Sequence, residues 1–412
     1  MTMTFAFCLL TMLHDKTILF SMDFTRINKL VGDGVADDTG AIQALLDSGA
    51  ACIYLPPPRV AYLISRTLKI GSGQELRLDR FSVVRLAPGS DCPMLENRAF
   101  RGGKDRRLAV TGGIWDADNT RQTGNFQQIP RGRDSAPKSF DPEFFIGMVM
   151  RFNNVEEMRV SGLTIRNPVS YGIEFGHAAY IVAEDIAFDY ATWNPIPLNM
   201  DGVHFDGICH HLRIANLRGT CFDDMVALNA NDGICSPEEG PIHDVDIDGL
   251  YCEYCHSAVR MLSAGAPLGQ VTIRNVHGHF YCYTVGLTHY FPQKPRGRFD
   301  DIVISDVFAS KAIVPPECGG ADYRAPMEVV QVQGPVDIGD LVVERLYRDE
   351  DKLPSSTIGI DAKATVENLV ARDCRMTNRL LEPIKFIDNR GQIGSVHAEN
   401  NHFYGNWNCN GA

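Results

Sequence analysis

Three aspartates are candidates for proton chemistry. The segments Asn199-Met200-Asp201-Gly202-Val203-His204-Phe205 and Cys221-Phe222-Asp223-Asp224-Met225-Val226-Ala227-Leu228 align when Val203 is matched to Val226, which puts Asp201 and Asp224 in one column with Asp223 beside them. A single aspartate ahead of a strand is an ordinary turn residue. Three of them converging differ, because like charges packed together raise at least one carboxyl pKa. A carboxyl that keeps its proton can act as general acid while its neighbours activate water, the division of labour that glycoside hydrolysis requires.

The same alignment brings further side chains to this place. The next segment, Cys255-His256-Ser257-Ala258-Val259-Arg260-Met261, puts Ser257 in the aspartate column and Arg260 in the outward column of Glu174, His204 and Ala227. A guanidinium there can clamp a sugar carboxylate or sulfate, or form a lateral salt bridge to Glu174 or an aspartate. His204 and His256 can position substrate or tune the carboxylates, so Glu174, His204, His256 and Arg260 are the candidate substrate-binding residues. His210 and His211 sit in a turn without a ligand-spaced carboxylate and are not read as metal ligands. Cys252 and Cys255 have the spacing of a metal knuckle, but no second pair completes a zinc site, and most of the 12 Cys read as buried thiols. No metal or cofactor is expected. The basic stretches Lys294-Pro295-Arg296-Gly297-Arg298 and Arg101 to Arg107 read equally as anionic-sugar subsites or as solvated loops.

These residues need a scaffold that brings distant positions together. From about residue 108 onward a short alternating phrase recurs at intervals of roughly 22 to 39 residues, the period of stacked coils. It reads Arg159-Val-Ser-Gly-Leu-Thr-Ile165, Leu212-Arg-Ile-Ala-Asn-Leu217, Val245-Asp-Ile-Asp-Gly-Leu250, Val271-Thr-Ile-Arg-Asn-Val276, Ile302-Val-Ile-Ser-Asp-Val307 and Leu341-Val-Val-Glu-Arg-Leu346. Each phrase is expected to be followed some ten residues later by a second short strand, read at Gly172 to Phe175, Gly202 to Phe205, Met225 to Leu228, Ala258 to Met261 and Val285 to His289. Such coils bury a continuous core only by stacking, about 4.8 Å apart. The expected fold is therefore all-β, a single-stranded right-handed parallel β-helix. Exposed strand edges at its ends need covering. A short helix over residues 38 to 47, capped by Asp38 or Thr39 and apolar at Ile42, Leu45 and Leu46, is the expected N-terminal cap, with strands at Cys52 to Leu55 and Tyr62 to Ile64 after it.

With 412 residues and no linker or second core in sight, one domain over residues 23–412 is expected, with 1–22 a separate N-terminal segment. The apolar stretch Phe5 to Leu13 has the length of a signal-peptide core, yet no Lys or Arg precedes it and no small-residue cleavage site follows, so Met22 is an alternative start and localisation stays open. Nothing later reaches transmembrane length, and no membrane association is expected. A net charge of −12 argues against nucleic acid as a partner. The expected partner is a polysaccharide or oligosaccharide; the oligomeric state is not legible.

The chain resembles the family 28 glycoside hydrolases, the polygalacturonases and rhamnogalacturonases, within the pectate-lyase-like β-helix superfamily. Gly32-Asp33-Gly34 through Asp37-Asp38-Thr39 and Ala41-Ile42 is similar to the superfamily's N-terminal signature, and Gly112-Gly113-Ile114-Trp115-Asp116 to its Gly-Gly-x-Ile-Asp-Gly segment. Asn199-Met200-Asp201-Gly202 resembles the family's Asn-Thr-Asp-Gly motif and Asp223-Asp224 its Asp-Asp pair. The resemblance implies an inverting hydrolase with Asp223 as general acid, Asp201 and Asp224 activating water, and Asn199 at the substrate. Two departures stand out. No Gly-His-Gly coil is visible, which leaves His256 a loose counterpart, and Leu262 stands where the Arg-Ile-Lys segment has Lys, so pectic, other acidic and neutral glycans all remain open.

Two other readings use the same residues. In a β-helix polysaccharide lyase the aspartates hold Ca²⁺ and Arg260 removes the proton alpha to a uronate carboxylate. In a non-catalytic, tailspike-like glycan-binding β-helix the acidic groove is incidental. Such proteins commonly trimerise, and no trimerising tail is obvious after Trp407.

Overall fold

A computed structural model describes residues 29–125, 141, 144–231, 238–291, 293–318 and 326–408. The N-terminal segment expected over residues 1–22 lies outside them. The ladders pair in parallel, each strand with one from the next coil. One face stacks Ile173–Gly176, Val203–Asp206, Asp224–Asn229, Ser257–Leu262, Val285–Thr288, Val330–Gln333 and Ile358–Ile360 in turn. A second stacks Cys209–Gly219, Ile242–Cys255, Pro267–Phe280, Gly297–Lys311 and Val336–Glu350. This is a parallel β-helix, with the repeated phrases on its second face and the short strands on its first. Among the described residues no helix is long and apolar enough to cross a membrane.

The phrases owe their form to a corner. In five of them the fifth residue, Asn216, Gly249, Asn275, Asp306 or Arg345, has a left-handed backbone, with φ of 54°, 84°, 57°, 53° and 49°. Asn, Asp and Gly tolerate that conformation better than other residues. The corner breaks the alternation, so the apolar residue after it, such as Leu217 or Val276, turns inward again.

Inside, one apolar core runs from Ile42 to Ile387. Like residues stack along the axis: Phe152, Phe175 and Phe205 lie on three coils with ring centroids 5.4 and 5.0 Å apart. The helix forms at Thr39–Leu46 and buries Ile42, Leu45 and Leu46. Its Gln43 side chain accepts from the Lys69 N–H at 2.8 Å and donates to the Lys69 carbonyl at 3.2 Å, satisfying both polar groups of an edge residue. The capping differs from expectation. Asp38 makes no side-chain bond to the helix and instead accepts from the N–H groups of Val31 and Gly32, while Asp37 accepts from the Thr39 N–H at 2.9 Å.

Of the cysteines, Cys209, Cys221, Cys252, Cys255, Cys282, Cys318 and Cys374 are buried free thiols, and Cys52 and Cys92 are half-buried. Cys255 accepts from the Cys221 N–H at 3.3 Å, and Cys252 contacts the Met225 sulfur at 3.5 Å. The pair belongs to the core.

Candidate functional site

The register matches Val203 to Val226 and Asp224 to Ser257, and it places Glu174, His204, Ala227 and Arg260 in one column. The Gly202 N–H donates to the Asp224 carbonyl at 2.9 Å, which locks the two aspartate-bearing turns one above the other. A methyl group on Gly202 would lie 2.4 Å from the Met225 carbonyl oxygen and 2.8 Å from the Phe188 ring, so only glycine allows this approach.

Asp201, Asp223 and Asp224 meet at the start of these strands. Asp201 and Asp224 are buried, at 1% and 0% exposure, and Asp223 at 8% is the one nearest solvent. The Asn199 amide donates to Asp223 at 3.4 Å, and His256 Nδ1 lies 3.3 Å from Asp223 and 3.7 Å from Asp224. Ser257 and Arg260 both hydrogen-bond the Asp224 carboxylate. Arg260 thus forms the lateral salt bridge that the sequence left open, with its side chain 15% exposed.

The environments push the carboxyls apart. Burial, reinforced by the charge of Asp223, drives the Asp201 pKa up to about 7. Burial also works against a charge on Asp224, but the Arg260 guanidinium and His256 outweigh it and hold that carboxyl well below its ordinary value. Burial disfavours an imidazolium at His204 as well. Asp206 and Asp201 overcome this and raise its pKa. Its Nδ1 meets Asp201 at 3.0 Å, while Nε2 faces Asp206 at 3.5 Å and the Asn229 amide at 2.5 Å. For His256, Cys282, Asp223 and Asp224 outweigh burial in the same direction.

Glu174 is fully buried. It stands in a column whose successive coils read Lys69, Glu96, Arg151, Glu174 and His204, an alternation of charge along the axis. Glu96 is ion-paired to both Lys69 and Arg151. Burial and the charge of Asp206 raise the Glu174 pKa. The column and its full burial set Glu174 in the interior, among charges of both signs. The basic stretches are also engaged: Lys294 pairs with Glu239 at 2.5 Å, Arg296 grips both oxygens of Asp337, and Lys104 and Arg106 both pair with Glu156.

Asp206, Asn229 and Tyr171 were not singled out from the sequence. Asp206 and Asn229 pair in register, so extending the Val203 to Val226 alignment by three residues identifies both. Tyr171 covers His204 at a centroid distance of 4.7 Å and packs with Ile146 and Met148, a contact with no short-range signal. Asp223, Asp224 and His256 bring ligand atoms within 4.8 Å of one another and are the residues here that could hold a cation. A surface hollow of about 800 Å³ lined by Ile242, Leu268, Arg296 and Asp337 contains none of these groups.

Comparison with solved structures shows the fold. A hyperthermoactive exopolygalacturonase from Thermotoga maritima matches over 91% of this chain and 90% of that one, with a TM-score of 0.60 at 13% identity. PfbA, a surface adhesin of Streptococcus pneumoniae, matches over 92% and 90% with a TM-score of 0.58 at 12% identity. An endo-xylogalacturonan hydrolase from Aspergillus tubingensis matches over 90% and 93% with a TM-score of 0.52 at 14% identity. These likenesses show a parallel β-helix fold. No family model matches the chain, and no curated protein sequence matches it.

Proposed function

We propose that the protein hydrolyses O-glycosidic bonds in a polysaccharide or oligosaccharide. One observation carries the reading: three carboxylates on adjacent coils, of which Asp201 is pushed up to about 7 while Asp224 is held ionised. Near neutral pH the trio retains a proton that belongs to the coupled group rather than to one residue. Asp223 is the member nearest solvent, and it delivers that proton to the leaving oxygen. Asp224, kept as a carboxylate by Arg260 and Ser257, draws a proton from the attacking water with Asp201. Asn199 and His256 hold Asp223 in place. Inversion at the anomeric carbon rests on the family 28 resemblance, and the exopolygalacturonase and xylogalacturonan hydrolase among the structural neighbours support a glycan as substrate.

The lyase reading asks Arg260 to accept a proton and Asp224 to bind Ca²⁺. Arg260 is instead ion-paired to Asp224, which raises its pKa further and makes it a poor proton acceptor. The adhesin neighbour keeps a binding role in view.

The test is a panel of pectic, algal and neutral polysaccharides assayed for new reducing ends and for near-ultraviolet absorbance, with wild type beside Asp223→Asn. Reducing ends without absorbance, reduced roughly 100- to 10,000-fold in the variant, are expected. Absorbance rising with the reducing ends would transfer the site to a lyase, and binding without products would make it a glycan-binding groove.

A further inference from the structure

His204 shares its column with Glu174 and Arg260, yet its side chain is fully buried. Any part it takes in the chemistry is therefore taken through a neighbour. The strand Val203–Asp206 alternates, so Val203 and Phe205 enter the core while His204 and Asp206 lie on the opposite face. At the head of that strand Asp201 turns back, and its Oδ2 lies 3.0 Å from His204 Nδ1. On the far side of the ring Nε2 faces Asp206 Oδ1 at 3.5 Å. The Asn229 amide closes on the same nitrogen from the next coil at 2.5 Å, and the Tyr171 ring covers the imidazole at 4.7 Å. One imidazole is thus held at both nitrogens and on one face.

A ring between two carboxylates is matched as a cation. The imidazolium has a donor for each carboxylate, whereas either neutral tautomer has a donor for one. The Asn229 amide turns to suit, its oxygen toward an imidazolium or its nitrogen toward a bare Nε2. Asp206 and Asp201 outweigh burial and favour the charge. On the coil below, burial and Asp206 draw Glu174 toward its neutral form, with Arg151 beyond it. Asp201 in turn faces Asp223 and Asp224 on the next coil, with Arg260 beyond them. Burial keeps the neighbouring Cys209 and Cys221 thiols neutral, and the Tyr190 hydroxyl donates to the Asp201 carbonyl at 2.8 Å, which anchors the backbone of that carboxylate.

We propose that His204, clamped between Asp201 and Asp206, is a positioning residue that orients the Asp201 carboxylate and sets a positive charge beside it. The inference rests on the hydrolase reading, in which Asp201 joins Asp224 in drawing a proton from water. Burial and Asp223 push Asp201 up to about 7 even with His204 opposing them. Without that opposing charge Asp201 would hold its proton still more tightly and withdraw as a base. Asp206 is fully buried and acts through His204.

The clamp is read first without substrate. The full chain, carrying isotope-labelled histidine, is titrated by NMR, with the His204 signals assigned by their loss in His204→Gln. Expected is an imidazolium at neutral pH in wild type, which in Asp206→Asn loses its proton at a pH at least about 1 lower. Kinetics follow on the glycan that the polysaccharide panel identifies. His204→Gln should lower kcat at least about tenfold with KM little changed, because a buried side chain shapes the trio without touching sugar. In both variants the alkaline limb of the kcat profile, where the trio releases its retained proton, should move up by at least about 0.5 in pH. Asp206→Asn preserves the shape of the site, so it carries the kinetic test should His204→Gln fail to fold. A neutral His204 at neutral pH, an imidazolium indifferent to Asp206→Asn, or a lower kcat with an unmoved pH profile would each overturn the proposal. Silence across the panel would overturn the hydrolase reading, while the titration still decides the clamp.

Discussion

Replacing Asp201 by Asn should change how stability depends on pH. In the folded chain burial and Asp223 raise the Asp201 pKa from 3.8 to about 7. The folded state therefore holds this proton more tightly than the unfolded chain does. That contribution to stability is fully present below the unfolded value and is lost as pH rises through about 7. At 1.36 kcal/mol for each tenfold change in proton affinity the whole effect is roughly 4 kcal/mol, of which roughly 2–3 kcal/mol falls between pH 5 and pH 8. Asn keeps the shape and an acceptor for His204 but carries no proton to lose. Asp206, the larger influence on His204, is untouched. Urea unfolding of both proteins at pH 5 and pH 8, in reducing buffer and with equal denaturant slopes, isolates the term as a double difference. Asp201→Asn should gain roughly 2–3 kcal/mol on wild type between the two conditions. Parallel stability profiles, or a variant that falls behind at pH 8, would refute the electrostatic account of the trio.

Other consequences concern the neighbours of that carboxylate. Arg260→Met strands Asp224 in the interior without its guanidinium and should cost about 3–5 kcal/mol at neutral pH. Because Asp224 titrates low in the folded chain, its stabilising contribution is present above the unfolded value and lost as pH falls, so the deficit should narrow in acid; a deficit independent of pH in urea titrations would contradict the pairing. Gly202→Ala forces a methyl group against the Met225 carbonyl and the Phe188 ring and should cost at least about 1–3 kcal/mol. It should also lower turnover by displacing Asp201, and a variant as stable as wild type would show that the turn has room to move.

Much of the architecture was legible in order along the chain. Alternating apolar residues, recurring every coil, can bury a core only by stacking, and matching Val203 to Val226 sets the register in which Asp201 stands over Asp224. The one-coil alignment also predicted the column of Glu174, His204, Ala227 and Arg260. Column membership says nothing of depth, however. Whether Glu174 faces solvent is not set by its place in the ladder, and the structure buries it.

Electrostatics was the part that only three dimensions could decide. Residue types supply three carboxyls of similar intrinsic acidity, and which one keeps its proton depends on what burial removes and what a neighbour returns. Arg260 reaches Asp224 from the next coil, while His204 and Asp223 act on Asp201. In a β-helix the sequence determines the period and hence which positions can meet. Desolvation and the fields of side chains from adjacent coils determine what those positions can do, because both depend on distance in space rather than along the chain.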